Sequence, residues 1–167
     1  MRTRKQTRLL TITAMFTAVI FISTRFLGFP NPAGAGVIHP ADAIMYVAAV
    51  LLPLPYAMFA GAAGMALANV AGAGGAMYAP FTLIIKPLML LLFSRHGKAL
   101  SGRNITALVP AFIINVAGYT FANFIIGVNQ WIMMPGIALN STVSTVLFVL
   151  LAGVIDRIRL KEQLDLE

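Results

Sequence analysis

The 167-residue chain has no cysteine, five acidic residues, two histidines and one tryptophan. Without cysteine there is no disulfide, no thiol nucleophile and no thiolate metal site. Charge is scarce: Asp, Glu, Lys and Arg make up 10% of the chain, against about 25% in a soluble domain. A soluble globular reading is therefore excluded. Catalytic motifs are missing as well. Gly97-Lys98-Ala99 lacks the upstream Gly and the Ser or Thr of a phosphate-binding loop, and there is no His-Glu-x-x-His or Gly-x-Ser-x-Gly. Asp42 is the only acidic residue before Asp156, a poor basis for acid–base chemistry. No enzyme activity, cofactor or metal is expected.

What is abundant is apolar. Hydrophobic residues make up 59% of the chain and the mean hydropathy is +0.88. The uncharged stretch between Asp42 and Lys86 is forty-three residues long. About 20 apolar residues span the hydrocarbon of a bilayer, so this stretch holds two crossings, with Pro53-Leu54-Pro55 as the turn. The N-terminal Arg2, Arg4, Lys5 and Arg8 followed by apolar residues imitate a signal peptide. No small-residue cleavage site follows a short apolar core, so a retained first helix is expected.

The net charge of +7 is a topological signal. Ten of the twelve Lys and Arg residues fall in three clusters: Arg2 to Arg8, Arg95 to Arg103, and Arg157 to Lys161. The positive-inside rule places all three in the cytoplasm. Leu9 to Leu27 then crosses outward once, and the return from Asp42 to Ser94 has length for three crossings. Asn104 to Ile155 goes out and back. The expected fold is an all-α integral membrane protein, a single domain over 1–167. Its six transmembrane helices lie near 9–27, 42–54, 56–72, 79–94, 105–126 and 135–155, with both termini cytoplasmic. The outer loops are 28–41, 73–78 and 127–134. The first is rich in Gly and Pro and long for a small bundle, which marks it as a functional lid or a flexible connector. The third helix, Phe59 to Ala68, is built from small residues that allow close packing.

This topology puts nearly every polar side chain in the outer half. Asn69, Tyr119 and Asn123 end outward-running helices, Asn115 lies near mid-depth, and Thr82, Lys86 and Asn140 lie in the outer halves of inward-running ones. Tyr78 heads the fourth helix, Asn31 and His39 sit in the first outer loop, and Arg25 and Trp131 flank the same side. The inner halves are almost wholly apolar, so one polar cavity open to the outside and sealed below is expected. Each residue also has a plainer reading. Asp42 can N-cap the second helix, Arg25 can snorkel to headgroups, Asn69 and Asn140 can bond between helices, Trp131 can sit in an aromatic belt, and His39 can be solvated. Lys86 is the hardest to dismiss, because a lysine that deep needs a partner. Asp42 and an anionic ligand are the two candidates, with the ligand favoured.

Ala14-x-x-x-Ala18 in the first helix, the Pro/Gly-rich first outer loop, His39-Pro-Ala-Asp42-Ala-Ile-Met-Tyr46 and Pro80-Phe-Thr82-Leu-Ile-Ile-Lys86 together resemble the substrate-binding S components of energy-coupling factor (ECF) vitamin transporters. The resemblance covers nearly the whole chain and departs from the family's usual pattern at Ala41, commonly Gly, and Asn69, often acidic. It implies a multi-pass subunit of a prokaryotic plasma membrane that captures a micronutrient outside and docks on a transmembrane coupling subunit (the T component) through Ala14 and Ala18. Two partner ATPases would supply the energy. The cargo expected from the resemblance is a pyridoxine- or hydroxymethylpyrimidine-like ring, or pantothenate, whose carboxylate would suit Arg25 with Lys86. The substrate-binding set is then Arg25, Asn31, His39, Asp42, Asn69, Tyr78, Thr82, Lys86, Asn115, Tyr119, Asn123, Trp131 and Asn140. A membrane assembly subunit without ligand is the competing reading, and a membrane enzyme ranks last.

Overall fold

Proline, glycine and short polar side chains punctuate the apolar runs, and the helices start and stop at them. The computed structural model describes residues 2–32, 36–72 and 75–164. Helix α1 (Arg2–Phe26) leads into a two-residue antiparallel pair, β1 (Phe29–Pro30) and β2 (Val37–Ile38), with Phe29 opposite Ile38. Then come α2 (Ala41–Leu51), α3 (Leu54–Val70), a single 3-10 turn at Ala76–Tyr78, α4 (Ala79–Leu90), α5 (Gly102–Ile126), α6 (Gln130–Arg157) and the short α7 (Leu160–Leu164). Pro55 and Pro80 occupy the first turns of α3 and α4, where a missing N–H costs nothing. Ser101 caps α5 by accepting from the Asn104 N–H, and Asn129 caps α6 by accepting from the Trp131 N–H. Gly127 ends α5 in the left-handed conformation (φ 81°), which glycine adopts without strain.

Several boundaries differ from expectation. The loop 28–41 holds a small hairpin instead of irregular chain. The helix expected over 79–94 ends at Leu90, and α6 begins at Gln130 instead of 135, because the Asn129 cap precedes Pro135 and the helix absorbs that proline. Asp42 is not an N-cap. Pro40 holds that position without a side-chain bond, while Asp42 lies inside the first turn, fully buried.

The bundle is organised around α2, whose alanines let neighbours approach on all sides. It packs on α1, α3 and α6, and it joins the two ends of a row in which α1 meets α3, α3 meets α4, α4 meets α5, and α5 meets α6. The small residues of α3 make the closest approaches. A Cβ on Gly64 would stand 2.7 Å from the Thr17 carbonyl oxygen of α1, and one on Gly61 would stand 2.6 Å from Met45 of α2. At one end of the bundle Tyr46, Phe93 and Phe148 plug the core, with ring centroids 5.0 to 5.8 Å apart. At the same end the segment between α4 and α5 is tied down. Asn104 bonds the Ser94 backbone at both N–H and C=O, and the Asp156 carboxylate accepts from the N–H groups of Ala99 and Leu100 at 2.7 and 2.9 Å.

Among the described residues three helices are long and apolar enough to cross a membrane, over Arg4–Phe26, Gly102–Ile126 and Gln130–Arg157, and three shorter apolar helices accompany them. Large apolar side chains cover the outer surface, among them Met15, Ile84, Val109, Phe124 and Leu150. Such a surface is stable in lipid and not in water. The fold is that of an all-α membrane protein.

Candidate functional site

Lys86 is the centre of the polar interior. It sits on α4 among apolar neighbours, and its side chain is 4% exposed. A lone ammonium there would be prohibitive. The fold answers with Asp42 from the first turn of α2, whose Oδ1 is 2.6 Å from Nζ, and with Asn115 Oδ1 of α5 at 3.0 Å. The Tyr119 ring lies beside the same ammonium, 5.1 Å from Nζ to the centroid, within cation–π range. Asn115 in turn donates to Ser141 Oγ at 2.6 Å, and Asn140 Nδ2 reaches Asp42 Oδ2 at 3.4 Å. Four helices thus meet at one ion pair.

A second network stands above the first. Thr82 Oγ1 donates to the Tyr78 carbonyl, accepts from Asn69 Nδ2 at 2.8 Å and lies 2.8 Å from the Tyr119 hydroxyl. The Tyr78 hydroxyl donates to Asn123 Oδ1 at 2.7 Å. Asn31 of the hairpin loop donates to the Gly136 carbonyl of α6 at 2.9 Å. His39 donates its backbone N–H to Asn140 Oδ1 at 2.9 Å. Burial holds the His39 imidazole below its ordinary pKa, against the nearby Asp42 charge, which raises it.

Between these networks lies a cavity of about 430 Å³. Its walls include Asn31, His39, Asn69, Tyr78, Lys86, Asn115, Tyr119, Asn123 and Asn140. Asp42 and Thr82 support it through Lys86 and through Asn69 and Tyr119. The cavity lies at the end of the bundle away from the aromatic plug and the three basic clusters. A space of this size, with mixed apolar walls and converging amides, suits a small organic molecule.

The comparisons with known proteins agree on the class. Residues 4–159 match the family model described as the ECF-type riboflavin transporter S component. The chain belongs to that family. It is a substrate-binding subunit of an ECF transporter, not an enzyme. A solved structure, reported as "Structure and mechanism of the S component of a bacterial ECF transporter", superposes with a TM-score of 0.73 at 17% identity, over 92% of this chain and 98% of that one. At this identity the likeness speaks for the fold alone. No curated protein matches the chain.

Against this background two of the expected site residues of the S component are displaced. Arg25 is exposed, and its guanidinium lies 5.7 Å from the Phe26 ring centroid. Trp131 is 72% exposed in the first turn of α6. Neither lines the cavity, so the expected Arg25–Lys86 clamp for a carboxylate does not form. Lys86 meets Asp42, the other of the two partners expected for it. Among the described residues that line the cavity the one ammonium is paired, and the family match gives no support to pantothenate or to a pyridoxine- or hydroxymethylpyrimidine-like cargo. Thr24, Met65, Met133 and Gly136 also line the cavity and escaped the sequence reading. Methionine and glycine carry no polar signal, and Ser141 acts only through Asn115. Ala14 and Ala18 lie exposed on α1.

Proposed function

We propose that this S component captures riboflavin in the cavity around Lys86 and delivers it through a coupling subunit driven by two ATPases. The observation that carries the cargo assignment is the charge state of the site. Its one ammonium is already neutralised by Asp42 at 2.6 Å, while its remaining polar groups are amides and hydroxyls. That environment favours a neutral, hydrogen-bond-rich molecule over an anion or a cation. Riboflavin has that character, with an isoalloxazine edge of alternating donors and acceptors and a polyol tail. Met65, Met133 and Tyr119 supply soft and aromatic walls for a flat ring system. The family description names the same molecule.

In the same reading all six helices α1 to α6 lie in the membrane with both termini cytoplasmic, and the cavity opens outward. α2, with 11 residues, is too short to cross alone at about 1.5 Å per residue. Its ends are tolerable at membrane depth because protein surrounds them. Ala14 and Ala18 form a shallow exposed stripe on α1 where a helix of the coupling subunit packs. The decisive experiment is a riboflavin titration of the purified protein, followed by quenching of flavin fluorescence, with pantothenate and pyridoxine as competitors. Saturable submicromolar binding that neither competitor displaces is expected. Absence of riboflavin binding, or displacement by pantothenate, would sink the assignment.

A further inference from the structure

The side chain of His39 is unaccounted for by either network. Its backbone is held on α6 at both ends of the residue, with the N–H donating to Asn140 Oδ1 at 2.9 Å and the carbonyl facing Ser144 Oγ at 3.5 Å. The residue lines the cavity, yet its Nδ1 is sealed from solvent without a hydrogen-bond partner among the described residues. Nε2 is not sealed and makes no hydrogen bond to a described residue, which leaves it as the open polar atom of the ring. A proton on Nδ1 would have only the residue's own backbone to face, outside hydrogen-bond geometry, whereas an idle lone pair there is better tolerated. The neutral ring therefore carries its proton on Nε2. An imidazolium would place N–H on both nitrogens and bury one of them unpaired.

We infer that His39 is a specificity-determining residue of this S component, a neutral imidazole that offers a single Nε2–H donor to an acceptor atom of the cargo. The inference rests on the reading of this cavity as the riboflavin site. Riboflavin presents several acceptors, the two ring carbonyls and the unprotonated ring nitrogens among them. The fixed backbone keeps the donor in place before the cargo arrives, so little ordering is lost on binding. The charged groups that face the ring are Asp42 from α2 and Lys86 from α4, and they oppose one another in their effect on it. Asn140 and Ser144 of α6 are neutral.

The test compares the wild-type protein with His39→Gln, His39→Asn and His39→Ala, each titrated with riboflavin from about pH 8 to pH 5, with the melting temperature of each empty protein recorded. The Gln amide N–H reaches about as far as Nε2, so His39→Gln should bind within about threefold of wild type, while Asn and Ala should bind about tenfold more weakly. The neutral ring and the imidazolium both carry the Nε2–H, so the order of the four proteins should be the same at both ends of this pH range. Wild type that binds riboflavin alongside equally tight Asn and Ala variants would overturn the role of His39 alone. So would Gln no better than Ala with a lowered melting temperature, since the ring would then serve only the loop. Wild type that fails to bind riboflavin would overturn the cargo reading itself, and this inference with it.

Discussion

Replacing Lys86 with methionine keeps the length and apolar body of the side chain and deletes the ammonium. In the empty protein this leaves the Asp42 carboxylate, whose side chain is 1% exposed, without its partner at 2.6 Å. The nearest compensation is the Asn140 amide at 3.4 Å, at the long end of a hydrogen bond. Breaking a buried ion pair from one side costs about 3–5 kcal/mol, because the remaining charge stays buried. For a chain of this size that corresponds to a drop on the order of 10 °C in apparent melting temperature. Lys86→Met with Asp42→Asn removes both charges and should recover most of the loss, since a neutral amide at position 42 can still bond with the amide of Asn140. The measurement is a double-mutant cycle on thermal unfolding of the empty protein in detergent, with a coupling energy of at least about 2 kcal/mol expected. Riboflavin affinity should also fall in Lys86→Met, because Lys86 lines the cavity. If the empty Lys86→Met protein is as stable as wild type, the ion pair contributes nothing to the fold. The lysine would then serve the ligand alone.

Two further outcomes test the wider arrangement. Ala14→Trp or Ala18→Trp should abolish riboflavin uptake in cells while leaving the affinity of the isolated subunit within about threefold, because a large side chain on the exposed α1 stripe holds a partner helix away; loss of binding together with uptake would assign the stripe to the fold instead. Labels at residue 3, residue 99 and the C-terminus should report the cytoplasm and labels near 36, 75 and 130 the exterior, and an external signal at residue 99 would break the six-span reading.

Much of the architecture was legible because membrane helices write themselves as long uncharged runs. The distribution of lysine and arginine carried the expected topology, and the outward skew of Asn69, Lys86, Asn115, Asn123 and Asn140 anticipated the polar cavity. Boundaries were less legible where capping competed with proline. Asn129 starts α6 ahead of Pro135, a choice made by one side-chain hydrogen bond. Arg25 and Trp131 share the end of the bundle where the cavity lies, but depth along a helix says nothing about rotation around it. Their side chains turn outward, and no hydropathy pattern records that.

Sequence by itself determined that this chain lives in lipid, that it brings a few buried polar groups together and that Lys86 must be partnered, since uncharged length and the cost of an isolated charge are properties of composition. Only the tertiary structure decided who the partner is. Asp42 and Lys86 are separated by forty-four positions, on helices α2 and α4. Gly61 of α3 lets α2 come close, since a Cβ there would stand 2.6 Å from Met45. The meeting of Asp42 with Lys86 pairs the one ammonium among the described residues that line the cavity. That consequence lies in the packing of small residues and not in any motif.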